Sequence, residues 1–242
     1  MMKITITRIL FKNQKTNKMA SQIGTRLAFE KAKKGIEAAG FGLNRAVLSQ
    51  SYLRSEVALS TSRTSYQFPI LVNDSSAGAA PTNTSFLLAL QDAFYISAIG
   101  VYFCKPSSST DTTFQLVTYP NASIFSTANT ASSLYSFYNG NLSMTINNRQ
   151  VVSGIDIYRF YSVPQQQQTA NADYTTSAIN YKDQQDGSMS GLYPIEPGIV
   201  LSGSKQNIVT INIPAALAAV ESNSRVVLYM TGHLAQNVTS VR

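Results

Sequence analysis

The sequence predicts an all-β protein: one antiparallel β-sandwich of about eight strands, preceded by a basic N-terminal arm that carries a single amphipathic helix. Three observations predict it. From Tyr66 onward, short segments rich in Val, Ile, Tyr, Phe and Thr are punctuated by Pro, Gly and Asn, the texture of a sandwich or barrel. Several of these segments alternate apolar and polar residues, which places one face on a core and the other in water. The charge is unevenly spread: residues 1–63 hold twelve Lys/Arg against three acids, a balance of +9, whereas the other 179 residues balance to −2. The expected division is therefore an arm over 1–63 and a sandwich over 64–242. About 180 residues suffice for a hydrophobic core without disulfide staples.

Within the arm, residues 21–39 read as the helix. Ser21 is placed to cap it, and Ala28, Phe29, Ala32, Ile36 and Ala39 recur on one face, while Lys and Glu occupy the other. Gly40 and Gly42 follow as stop signals, because glycine takes the left-handed conformation cheaply. The apolar face is small and Ala-rich, which suits close docking on protein better than insertion into lipid.

Strands are expected at 66–72, 86–91, 93–104, 113–119, 141–147, 150–162, 207–213 and 225–235, with an edge strand near 195–201. Leu142, Met144 and Ile146 alternate with Asn141, Ser143 and Thr145. Val209, Ile211 and Ile213 alternate in the same way with Asn207, Thr210 and Asn212, with Ile208 the one exception. The run AFYISAIGVYFC at 93–104 is apolar on both faces, so it is expected to be central and covered on both sides, by the opposing sheet and arm or by a neighbouring subunit. Pro214 followed by AALAAVES reads as a short helix with Pro in its first turn. Two long polar stretches, 120–140 and 163–191, read as loops, and loops of that length are usually functional or disordered.

No catalytic residue, cofactor or metal is expected, and the chain is read as a non-enzyme. The one histidine, His233, falls in phase with Val227, Tyr229 and Thr231 of a strand, and no local nucleophile or orienting acid accompanies it. The one cysteine, Cys104, lies inside an apolar run, which offers neither a disulfide framework nor a CxxC metal site. The acids of the body are scattered, so no glycosidase-like pair stands out. The GSMSG at 187–191 places Met189 where a nucleophile elbow needs serine. No signal peptide is expected, and no stretch approaches the roughly 18 apolar residues of a spanning helix.

The arm points to a polyanion. The candidate contacts to nucleic acid or a membrane are Lys3, Arg8, Lys12, Lys15, Lys18, Arg26, Lys31, Lys33 and Lys34. If seven or eight of the arm's cations met phosphates, affinity for duplex would fall with salt at a log-log slope of roughly −6 to −7, or about −5 for single strands. One arm alone would bind weakly and without sequence preference. Many arms on one closed shell would act together through effective concentration. A basic amphipathic segment is also suited to an anionic lipid surface.

The basic arm of 1–63, the strands after Tyr66, the long apolar run FYISAIGVYF and the strand-rich ending RVVLYMTGHLAQNV together resemble the jelly-roll capsid proteins, particularly those of small tailless icosahedral bacteriophages. The resemblance implies a single jelly roll, since about 180 residues fit one and not two. It implies a virion structural protein, assembled in the host cytoplasm, that self-assembles into an icosahedral shell. The implied partners are other copies of the chain, other virion proteins, nucleic acid through the arm, and an internal lipid membrane. Tyr135, Tyr138, Tyr174 and Tyr181 in the two long loops are the candidates for inter-subunit or surface contacts. The alternative is a carbohydrate-binding, spike or adhesin module anchored to a particle by its arm. Deleting 1–63 is expected to separate the two, since a shell protein would lose assembly and a lectin would keep its ligand. A non-viral nucleic-acid-binding β protein fits poorly, because the body has only seven cations in 179 residues.

Overall fold

The computed structural model describes residues 26–70, 88–108, 115–121, 124–127, 129–163 and 191–240. These residues form helix α1 over 26–38, then strands β1 (Phe41–Gly42), β2 (Val47–Ala58), β3 (Ser65–Ile70) and β4 (Ala93–Cys104). A short helix α2 (Thr130–Tyr135) runs into a 3-10 turn (Ser136–Asn139), followed by β5 (Asn141–Ile146), β6 (Arg149–Asp156) and a second 3-10 turn (Ile157–Phe160). Strands β7 (Leu192–Ser202), β8 (Asn207–Asn212), β9 (Arg225–Gln236) and β10 (Thr239–Ser240) complete the described chain.

Eight of the strands make two four-stranded antiparallel sheets, ordered β2-β9-β4-β7 and β3-β8-β5-β6. The pairing is nested: β2 with β9, β3 with β8, β4 with β7 and β5 with β6. The pair β1–β10 extends the same nesting outward. The chain is thus one long antiparallel ribbon, bent back at the β5–β6 hairpin and wound so that β4 also pairs β9 and β5 also pairs β8. The hairpin turns on Asn147 and Asn148, both at positive φ, as a two-residue loop that follows the twist of its strands requires.

The core between the sheets follows the alternation read from sequence. Leu142 and Met144 of β5, Val209 and Ile211 of β8, and Tyr66, Phe68 and Ile70 of β3 are buried against Phe94, Ile96, Ile99, Val101 and Phe103 of β4 and Val226, Leu228 and Met230 of β9. Phe103 is ringed edge-on by Phe125, Phe137 and Tyr138, a geometry that aromatic quadrupoles favour. The chain crosses from β2 to β3 under Tyr66, whose hydroxyl donates to Ser60 O at 3.0 Å; burial pushes this phenol up from its ordinary pKa. At the far corner Glu221 ion-pairs Lys105 and accepts from Thr127 N at 2.5 Å. Burial alone would raise the Glu221 carboxyl, but the Lys105 ammonium and the Thr127 amide hold it below its ordinary value.

Several expectations are corrected. Residues 47–58, assigned to the arm, form β2 and pair along their whole length with β9, so the sandwich begins before residue 63. The segment 86–91 is not a strand in its described part: Leu88 makes an isolated bridge and 90–91 turn. In the described part of 113–119, residues 115–119, only Val117 bridges, to Phe103. The strand expected over 150–162 ends at Asp156, where the carboxylate accepts from Tyr158 N at 3.0 Å and starts a 3-10 turn instead. The segment after Pro214 is irregular rather than helical; Leu217 is buried in the core and Val220 packs partly against it. The stretch 120–140 is not simply a loop, since Leu134, Phe137 and Tyr138 recur at helical spacing and are buried.

Candidate interaction surface

Helix α1 lies on the side of the first sheet that faces away from the main core. Ala32 and Ile36 are fully buried there, in a second cluster with Ala93 and Tyr95 of β4, Ala235 of β9 and Val238. Alanines on the helix let the two backbones approach closely, as the small apolar face leads one to expect. Gly40 ends the helix at φ 89, its amide bonded to Glu37 O at 3.0 Å. The run 93–104 is therefore covered on both faces within one chain at its start, by the opposing sheet and by α1.

The docked face fixes where the helix's charges go. Arg26, Lys33 and Lys34 are exposed, with Glu30 and Glu37 among them. Lys31 is also exposed but reaches across to Glu196 of β7, with Nζ 2.6 Å from Oε1, and that bond raises its pKa. An exposed pair of this kind holds little energy. Four of the nine predicted contact residues thus share one rigid element, while Lys3, Arg8, Lys12, Lys15 and Lys18 lie outside the described residues. Phe29, expected on the apolar face, is only half covered; its ring meets His233 edge-on at 6.3 Å. Burial lowers the His233 pKa, and its Nδ1 has no hydrogen-bond partner among the described residues.

Beyond α1 the same sheet face carries a tyrosine ladder and an ion network. Tyr52 stacks on Tyr229 at 5.3 Å, and Tyr102 meets Tyr229 edge-on at 6.4 Å. Glu56 holds Arg54 at 2.6 Å and Arg225 at 3.0 Å. Cys104 is buried beside this network and its thiol is pushed up to about 12, chiefly by burial. A thiol so far from ionising is no nucleophile. Among the described residues no group of His, Cys, Asp and Glu could hold a metal ion, and no helix is long and apolar enough to cross a membrane.

Compared with protein-family models, curated proteins and solved structures, the chain finds no match. Its function has to be argued from its own residues.

Of the four tyrosines expected at surfaces, Tyr174 and Tyr181 lie outside the described residues. Tyr135 is 48% exposed. Tyr138 is the correction: it is buried, and its hydroxyl donates to Thr118 O at 2.8 Å. Its ring instead braces Tyr161 edge-on at 5.1 Å. Tyr158 and Tyr161, missed because 150–162 reads as one strand, stack at 5.7 Å and 11°. The clue was available in the aromatic spacing of IYRFY at 157–161, which breaks the alternation of β6 and fits a turn better.

Proposed function

We propose that this chain is a capsid subunit: a single jelly roll that self-assembles into an icosahedral virion shell, with its basic N-terminal segment set against packaged nucleic acid or an internal membrane. The nested strand pairing carries the reading. A ribbon hairpin wound into two four-stranded sheets, β2-β9-β4-β7 and β3-β8-β5-β6, is the connectivity a jelly roll requires. The charge supports the second half of the reading, since residues 1–63 carry +9 and the remaining 179 residues −2, for a total of +7. Docking of α1 through Ala32 and Ile36 would hold part of that charge on one side of the subunit, so that copies arrayed in a shell would present it to a common interior.

The test is light scattering on the size-exclusion eluate of the full-length protein, with absorbance at 260 and 280 nm. Particles of megadalton mass support the shell, and a raised 260/280 ratio that falls with salt assigns the basic segment to nucleic acid. A monomer or trimer free of nucleic acid across salt and concentration overturns the reading.

A further inference from the structure

The side of the second sheet that faces away from the core ends in an open cleft of about 550 Å³ between the 136–139 turn and the end of β6. We propose that this cleft binds a neutral, hydroxyl-rich saccharide, with a pyranose ring packed on Tyr158 and its hydroxyls met by Asn139, Asn141, Ser153 and Asp156. Tyr158 lines the cleft and is 63% exposed, and among the described residues no ring stacks on its outer side. It is nonetheless not floppy. Its ring stacks on Tyr161, which Tyr138 and Tyr135 brace at 5.1 and 6.0 Å. A ring held in place costs little entropy to bind against.

The polar groups converge for reasons of register. Asn141 and Asp156 are direct cross-strand partners, and both are exposed, so they share one face. Asp156 is oriented because one carboxylate oxygen already accepts from Tyr158 N at 3.0 Å, which leaves the other for a ligand hydroxyl. Ser153 and Gly154 form a bulge, two residues opposite Ser143 alone, where the register shifts between Leu142 and Met144. Bulges on edge strands re-aim side chains, and this one turns Ser153 into the lining. A Cβ at Gly154 would touch nothing within 4 Å, so the cleft is open there.

The same lining disfavours other ligand classes. Among the described residues Asp156 is the one charged side chain of the lining, so a phosphate or sulfate would meet repulsion. The nearest cation in sequence, Arg159, is engaged elsewhere, donating to the Tyr193 hydroxyl at 2.7 Å. Amides, a hydroxyl and one carboxylate around an aromatic platform instead match paired hydroxyls above an apolar ring face. The cleft lies within one chain, so the inference does not depend on shell assembly.

The experiment screens the full-length protein, assembled or not, against an immobilised panel of neutral gluco-, galacto- and mannopyranose oligosaccharides, then titrates the best binder calorimetrically. Wild type is expected to bind at least one member. Losing the buried ring face in Tyr158→Ala should weaken it about tenfold or more, whereas Tyr158→Phe, which keeps the stacking face, should stay within about threefold. Gly154→Trp, placed in open space at an exposed bulge, should block binding while leaving the melting temperature unchanged. It also covers the case in which Tyr158→Ala does not fold. No binding across the panel, or wild-type affinity in both Tyr158→Ala and Gly154→Trp, overturns the proposal. Particle mass by light scattering is followed in parallel, so that a failure of assembly is seen separately from a failure of the cleft.

Discussion

The seat of α1 can be tested by adding one methyl group at Gly35. The ring of Tyr95 lies between two glycines, Gly35 on α1 and Gly198 on β7: a Cβ at Gly35 would lie 2.5 Å from Tyr95 Cε2, and one at Gly198 would come closer still to the same ring. In an ordinary helix interior, Gly→Ala stabilises by about 1 kcal/mol. Here the new methyl overlaps a ring that cannot move away from it without meeting β7, and overpacking of that kind costs about 1–3 kcal/mol. The two effects oppose each other, and the clash should win: Gly35→Ala is expected to lower stability by about 1 kcal/mol, read as a smaller urea midpoint at unchanged slope. In a Tyr95→Ala background the obstacle is gone, so the same substitution should raise stability by about 1 kcal/mol from helix propensity alone. The double-mutant cycle should therefore give a coupling of about 1–3 kcal/mol, and hydrogen exchange should place the loss of protection on 26–38. If Gly35→Ala stabilises equally in both backgrounds, α1 is not seated on Tyr95 and the account of this face fails.

Three further outcomes follow from the buried polar groups. Tyr66→Phe keeps the ring but strips a hydrogen bond from Ser60 O, and should cost about 1–2 kcal/mol in denaturant unfolding while leaving the far-ultraviolet spectrum of the folded state intact. Glu221 has a folded-state pKa below its unfolded value, so its contribution is complete above about pH 4.5 and fades as pH falls through the lower, folded value; Glu221→Gln should cost about 1–3 kcal/mol near neutrality and converge on wild type in an acid titration of stability. His233 is also depressed, so the unfolded chain takes its proton first and stability should fall as pH drops below about 6.5; in His233→Gln, urea midpoints measured between pH 7 and pH 5 should lose that portion of the slope.

The strands that the sequence makes legible are those whose burial is simple. β5 alternates because one face meets the core and the other meets water, β8 does so apart from Ile208, and the outer face of β4 is apolar at its start because α1 covers Ala93 and Tyr95 there. β2 is hidden for a physical reason. Its outer face carries Tyr52, Arg54 and Glu56, and its inner face interrupts Leu53 and Val57 with the buried Ser55, so neither face reads as apolar and its charges blend with those of the arm. The ion network that justifies those charges needs Arg225, 169 residues away in sequence from Glu56. The tyrosine cleft is obscured in a similar way: Asn141 and Asp156 become neighbours only through the hairpin register, and Ser153 enters only because of a bulge. Tyr158 escapes the sequence because exposure in a turn depends on where the strand stops, and that stop is set by the Asp156 cap.

The position of β2 also changes how the basic segment should be dissected. Removing residues 1–63 would delete a twelve-residue strand paired throughout with β9, taking the buried Leu53 out of the core and leaving the β9 edge unpaired, a template for aggregation. Loss of assembly in that truncation would report a broken sandwich and not a lost arm. A cut at residue 39 is no better, since it uncovers Ala93, Tyr95 and Ala235 and creates an exposed apolar patch. Removing only residues 1–25 keeps α1, its Lys31–Glu196 pair and the whole ribbon, while deleting Lys3, Arg8, Lys12, Lys15 and Lys18. The charges on α1 are then separable from those before it: each cation that truly meets a phosphate should lower the salt slope by about 0.7–0.9 when neutralised, so Lys33→Gln with Lys34→Gln on the intact chain and the 1–25 deletion divide the polyanion contact between the rigid helix and the segment that precedes it.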